Sequence, residues 1–470
     1  MCAIMIDDSQ SICYRTLTGY KYNEKELTVM SNRIPLAEMA TYYTPELTLL
    51  LTDLGKIAQT MNIVEMVTPV NAGEEKQRWL ELAAHGKWMN PDFRYNRELL
   101  GSVAKLHADT VEVGQTMKTA FESISGGEPG KVLYQLAEQR YQEVYLTTML
   151  AKYMLEERQA GARDMVNKIF GAPAASTVAA AHDFARALAN GKGKVREDND
   201  NLKRIRRELK DLEFDAEKIR ENFVWMAQEC GIAETRPVVV DEATTSIDVR
   251  DKSLKGAVVS IPADRKVSGL KLVELTGHEI LCHWCDSERA IKALPLIGGG
   301  ALKPADEVLY EGHATLTDFN THLMLGDAAP RQQLPFYVIA MDLAEQGLNF
   351  AELARVMYDV IRPTKLSDET ALNQTWTTCY RVLRGSNGQN SYIGQYVFTK
   401  DRAYFEGRLV ADKLHMEQMD SILELSTLSL GDVELLKTVV DFPKGEDNLA
   451  QTKSRLQKLV QRLLDDEVVF

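Results

Sequence analysis

Two histidines five residues apart, with a glutamate directly after the first, restrict this chain more than any other feature: the stretch reads His278-Glu279-Ile280-Leu281-Cys282-His283. In the familiar zinc-protease pattern, H-E-x-x-H, the histidines sit four apart, share a helix face and grip one metal while the glutamate activates water. At about 100° per residue, a spacing of five turns the side chains roughly 140° apart on a regular α-helix. Both reach one ion only where the helix widens into a π-turn or ends. The spacing therefore predicts a distorted helix if a metal is held. Taken alone, the string fits equally two polar helix residues and an exposed glutamate that hold nothing.

The surroundings add weight to the metal. Of eight histidines, four (His278, His283, His313 and His322) fall in one short window. Glu311 follows on a helix expected over 305–323. Two imidazoles and a carboxylate are a normal catalytic zinc set with the fourth position left open. Zinc lowers the pKa of water there toward about 7, and Glu279 is the expected general base. His313, two residues from Glu311 and so on another helix face, competes for the third place. Glu274, Asp286, Glu307 and Asp318 are the acids near enough to orient an imidazole N–H, and spacing does not choose among them.

Elsewhere the chain reads as ordinary globular protein. Its 470 residues are 45% hydrophobic and 26% charged, which excludes global disorder. The net charge of −13 speaks against a dedicated nucleic-acid binder. No run approaches the roughly 18 apolar residues of a membrane span. The start, MCAIMIDDSQ, lacks the basic region of a secretory signal, and neither end matches a lipidation motif. Six cysteines are too sparse for a disulfide framework, so a cytoplasmic setting is expected.

Residues 41–231 are patterned as helices, with a loop at 126–130 and one long amphipathic helix over 198–231 ended by Gly231. After Pro237, β-branched runs at 238–240, 244–249 and 257–261 predict one small sheet, and Ser268 can cap the helix that follows. The expected fold is α+β, predominantly helical and metallopeptidase-like, with one small β-sheet preceding the metal-binding helix. Its expected regions are an extension over 1–40, a helical part over 41–235, a catalytic part over 236–415 and a helical extension over 416–470. Cys282 and Cys285 form a C-x-x-C pair without a thioredoxin-like setting or a second pair for a zinc knuckle. Gly298-Gly299-Gly300 lacks the Gly-Lys-Ser/Thr ending of a phosphate loop and reads as a flexible segment bordering the cleft. Trp79 and Trp88 read as core.

HEILCH resembles the H-E-x-x-x-H core of the family that includes the microtubule-associated tyrosine carboxypeptidases and bacterial proteins with a domain of unknown function. Tyr310-Glu311-Gly312-His313-Ala314 resembles its second, glutamate-glycine segment. Further blocks resemble it in matching order: EEKQRWLELAAHGKWMNPDFRYN (74–96), Tyr380-Arg381-Val382-Leu383-Arg384-Gly385, and FTKDRAYFEG (398–407). Two places depart from the family pattern. Gly312-His313-Ala314 stands where Gly-Leu-Pro or Gly-Leu-Ala is expected, and WCDSERA after His283 lacks the usual basic, leucine-rich continuation.

The resemblance implies a zinc-dependent exopeptidase that removes a C-terminal residue, tubulin tyrosine being the substrate of the eukaryotic members. His278, His283 and Glu311 would hold Zn2+ and Glu279 would be the base. The partner is then a protein or peptide C-terminus, with tyrosine or another aromatic as the residue removed. A carboxypeptidase must also fix a free carboxylate, for which arginine's planar fork is suited. Arg381, Arg384 and Lys400 are the candidates, with Arg402 beside them. Tyr404 is a candidate to hydrogen-bond the scissile carbonyl, or else packs. The strand at 257–261 could pair with an extended peptide by edge addition. The alternative is a catalytically idle, metal-stabilised peptide-binding scaffold, and a further one is a thiol regulator using Cys282 and Cys285.

Overall fold

The computed structural model describes residues 33–465 except 62, 97, 99, 122–126, 191–198, 233–237, 242–247, 254–255, 300–301, 303, 327–332, 366, 387–394 and 443–447. The expected extension over 1–40 thus lies mostly outside the described residues.

Apolar residues at three- and four-residue steps form helices through the first half, as the patterning predicts. Pro45–Thr60 is typical: the Thr44 hydroxyl accepts the Leu47 N–H and Pro45 starts the helix where its missing N–H costs nothing. The loop expected at 126–130 is shorter than the sequence suggests, because the long helix α1 (Gly127–Leu155) already starts at Gly127. Pro129 sits in its first turn, where proline is tolerated.

The single helix expected over 198–231 is two, α2 (Asp200–Asp211) and α3 (Ala216–Glu229). Leu212 leaves helical geometry, Glu213–Phe214 pairs antiparallel with Val267–Ser268, and the Asp215 carboxylate accepts the Lys218 N–H to start the second helix. A capping aspartate inside the apolar repeat was the overlooked break signal. Gly231, with φ of +73°, ends the pair as expected.

The small sheet is present. Its strands are β1 (Val238–Asp241), β2 (Asp248–Ser253) and β3 (Gly256–Pro262). β3 is central, parallel to β1 and antiparallel to β2. This overturns the edge-addition expectation for 257–261: both sides of that strand are already hydrogen-bonded. The run expected over 244–249 is described only from Asp248. Val259 and Ile261 bury one face of β3 against α3 and the metal-motif helix.

Ser268, its hydroxyl accepting the Lys271 N–H, caps α4 (Gly269–Leu275). The rod continues without a break as a π-helix (Thr276–Trp284) and then α5 (Cys285–Ala293). The helix expected over 305–323 is α6 (Val308–Met324), delayed because Glu307 adopts a left-handed φ of +49°. It packs most extensively on α8 (Arg402–Met416), and α7 (Asp368–Leu383) precedes that helix in the chain. Trp79 and Phe93 pack with Phe350, Trp376 and Tyr380 in an aromatic core, with Trp88 against Trp79. The fold is α+β and predominantly helical. No helix among the described residues is long and apolar enough to cross a membrane.

Candidate metal centre

The conflict posed by the five-residue histidine spacing is resolved by the backbone. Within Thr276–Trp284 the hydrogen bonds run i→i+5, so residues five apart lie one above the other instead of on opposed faces. Neighbouring side chains hold this wide turn. The Thr276 hydroxyl donates to the Leu272 carbonyl at 2.8 Å, and the Cys282 thiol donates to Thr317 Oγ1 at 3.0 Å. Gly277 lets α6 approach: a Cβ there would lie 3.2 Å from Thr321 Oγ1 and 3.3 Å from Thr317 Cγ2.

His278 and His283 consequently face one another, ring centroids 4.7 Å apart and planes at 82°. Each Nε2 is 3.8 Å from Oε2 of Glu311 on α6. All three residues are buried, and their ligand atoms lie within 4.8 Å of one another, the one such group among the described residues. Ligands about 2.1 Å from a single tetrahedral ion lie about 3.4 Å apart. The observed 3.8 Å is a few tenths wider, and two imidazoles with a carboxylate suit zinc.

Of the four candidate orienting acids, Asp318 is the one on a histidine of the group: its Oδ2 lies 3.1 Å from His278 Nδ1, which leaves Nε2 toward Glu311. Asp318 is seven residues after Glu311, two turns along the same helix face, and that periodicity could have singled it out. Glu274 pairs with Lys271, Glu307 with Lys400, and Asp286 with His313. Tyr310, which sequence reasoning did not single out, stacks on His283 at 3.7 Å between centroids and 14° between planes. Glu279 is half-buried on the π-helix.

His313 is not at the group. Its Nδ1 lies 2.6 Å from Asp286 Oδ2, which also accepts the Ser426 hydroxyl at 2.6 Å. One residue from each of the two segments expected to depart from the family pattern thus meets the other in a buried contact between α6 and α5. The C-x-x-C pair does not face itself either: Cys282 is turned to Thr317 and Cys285 to Cys230. Burial pushes the Cys282 thiol well up, and the Cys230 hydrogen bond followed by burial does the same at Cys285, so neither is an activated nucleophile. Gly298 and Gly299 are buried, and a Cβ on Gly298 would collide with the Ala290 backbone, so the described part of that segment is tightly packed and not the flexible strip expected.

The late cations form a second polar cluster. Arg381 sets its fork on Asp401, with Nε and Nη2 each donating at 2.7 Å, and lies between the Tyr337 and Tyr404 rings. Arg384 is buried, rests 4.6 Å over the Phe398 ring and reaches Asp401 only at 3.7 Å, with Nε lacking a hydrogen-bond partner among the described residues. Burial pushes Asp401 up, but the two guanidinium groups outweigh it and hold the carboxyl below its usual range. Lys400 pairs with Glu307 at the start of α6, and Arg402 with Glu406. Tyr404, half-buried, packs against the aromatic core. The Tyr95 hydroxyl accepts the Gly385 N–H at 2.9 Å and donates to the Ser386 carbonyl at 2.6 Å, joining two of the family-like blocks directly.

The ligand helix α6 meets the cluster through α8. Gly312 and Gly407 mark the crossing, where a Cβ on either would lie 2.9 Å from the other's Cα and closer still to a carbonyl oxygen. A search among curated proteins found no match to the chain. The family model for microtubule-associated tyrosine carboxypeptidases matches residues 81–453, which take in the sheet, the π-helix, α6 and the arginine cluster. The chain belongs to the microtubule-associated tyrosine carboxypeptidase family.

Proposed function

We propose that this chain is a zinc-dependent carboxypeptidase that removes a C-terminal residue, tyrosine or another aromatic, from a protein or peptide. The observation that carries the reading is the group His278, His283 and Glu311, brought within one ion's reach by the π-helix. Family membership supports the exopeptidase class.

His278 and His283, each through Nε2, and the Glu311 carboxylate would hold the zinc. When bound, the metal acts as a Lewis acid that polarises the scissile carbonyl and makes water acidic enough to lose a proton near neutral pH. Glu279 takes that proton on a carboxylate oxygen and delivers it to the leaving amine. The burial of the three ligands keeps bulk water away and strengthens each charge interaction. Arg384 is the preferred anchor for the substrate's terminal carboxylate, since its guanidinium is buried yet only loosely held by Asp401. Arg381, whose fork is occupied by Asp401, holds that acid in place, and Lys400 steadies Glu307 ahead of the ligand helix. Tyr404 donates its hydroxyl proton toward the carbonyl oxygen as negative charge develops there.

Zinc content and turnover on a library of peptides with varied C-terminal residues test the reading, with Glu279→Gln as the decisive variant. The expected result is one equivalent of zinc in both proteins, cleavage by the wild type of free but not amidated C-termini, and a loss of at least about 100-fold in the variant. A zinc-loaded wild type that cleaves nothing leaves the scaffold, and a protein that takes up no zinc removes the reading altogether.

A further inference from the structure

A different kind of contact bears on each of the two candidate histidine ligands. An imidazole turns easily about χ2, whose preference is broad and two-fold, so the ring plane has to be set from outside. For His278 the constraint is polar, Asp318 on Nδ1 at 3.1 Å. On His283 a ring face bears directly: the Tyr310 ring lies parallel to the imidazole, 3.7 Å away and within 14°. Tyr310 is itself 4% exposed and cannot swing out of the stack without leaving the core.

We propose that Tyr310 is the positioning residue for His283, fixing the plane in which that imidazole presents Nε2 to the metal. The inference rests on the zinc reading above and goes beyond it, since it assigns an orienting role to a side chain that carries no ligand atom in the group. Three features point the same way. The perpendicular arrangement of the two imidazoles, 82° between planes, places both Nε2 atoms at the same 3.8 Å from Glu311, and a turn of the His283 ring would spoil that symmetry. Tyr310 and Glu311 are consecutive on α6, so the stacking face and the carboxylate move as one body relative to the π-helix. An imidazole that gives electron density to a cation also becomes more positive, and the electron-rich face of a phenol ring favours that form. The stack therefore tightens when the ion is bound.

The test compares Tyr310→Phe, which keeps the ring, with Tyr310→Leu, which keeps apolar volume and loses the face. Zinc affinity of the full chain is measured by competition with a chromophoric chelator, and the visible absorption of the cobalt(II)-loaded protein reports ligand geometry. Zinc affinity should fall about 2- to 10-fold in the leucine variant, the range of an aromatic pair, and its cobalt bands should shift. The phenylalanine variant should stay within about twofold of wild type with unchanged bands. If the leucine variant does not fold, Tyr310→Met serves in its place. Equal affinity and spectra in the ring-less variant and wild type would overturn the proposal. So would a phenylalanine variant as weak as the leucine one, which would assign the effect to the hydroxyl. A wild type that binds neither metal would overturn the zinc reading itself, an outcome distinct from either.

Discussion

The crossing of α6 and α8 makes the sharpest mechanical prediction. In an exposed helix interior, Gly→Ala gains about 1 kcal/mol from backbone entropy. At Gly312 the new Cβ would lie 2.9 Å from the Gly407 Cα and closer to its carbonyl oxygen. That oxygen would be 2.3 Å away, and carbon–oxygen contacts need about 3.3 Å, so the helices must part by roughly 1 Å. The obstacle is backbone, which cannot rotate aside. Overpacking of this kind costs about 1–3 kcal/mol or more, which exceeds the helical gain. With a backbone clash at the upper end of that range, about 3 kcal/mol, less the helical gain of about 1, Gly312→Ala is expected to lower the unfolding free energy by about 2 kcal/mol or more. The displacement also carries Glu311, one residue away, and metal sites tolerate only about 0.2 Å in their distances. Zinc affinity should fall by at least about tenfold. Gly101→Ala is the control, because nothing lies within 4 Å of a Cβ there, and its stability should be unchanged or slightly raised. Urea unfolding of the metal-free proteins and chelator competition measure the two effects. A Gly312→Ala protein as stable as the control and as tight for zinc refutes the account.

Three further outcomes follow from named contacts. Asp318→Asn should weaken zinc binding about 10- to 100-fold while the protein stays folded, because the replaced carboxylate holds His278 Nδ1; unchanged affinity by competition would show that the ring is oriented otherwise. Glu143 pairs with the buried Arg140, and burial, opposed by Arg140 and aided by Asp432 and Asp306, pushes its carboxyl up to about 7. The folded state then holds a proton the unfolded chain has lost, so stability falls as pH rises from about 4.5 to 7. A shift of that size would be worth about 3 kcal/mol. With 28% of the side chain open to water, about 1–2 kcal/mol is expected. Glu143→Gln should flatten that slope in denaturation curves, and a slope left intact assigns it elsewhere. For the buried His313–Asp286 contact, a double-mutant cycle with leucine at each position should return a coupling of about 0.5–3 kcal/mol, whereas additive single effects would mean the two side chains do not support one another.

The grouping of the candidate ligands was legible because it is bound to a spacing. His278 and His283 could share an ion only on a deformed helix, and the deformation is the π-helix that the 140° mismatch demands. The sheet was legible from its β-branched runs and α4 from Ser268. What escaped was set by partners distant in the chain. Nothing near Ala257 says that β1 and β2 occupy both edges of its strand. Arg381 looks the same in sequence whether it meets a substrate or Asp401. The break at Leu212 needed Val267–Ser268 as a pairing surface. His313 and Asp286 each read as a local oddity, and only their burial against one another shows that they form a single contact.

The π-helix also affects how this chain compares with others. A helical rod that admits one surplus residue in a wide turn leaves the segments on either side in the phase of a rod shorter by one. Residues before Thr276 and after Trp284 would thus face the same sides as in a chain with one residue fewer between its histidines. An ungapped alignment with a chain of the four-residue H-E-x-x-H spacing will therefore slip by one position on one flank, and the two imidazoles, not the intervening letters, are the proper anchor points there.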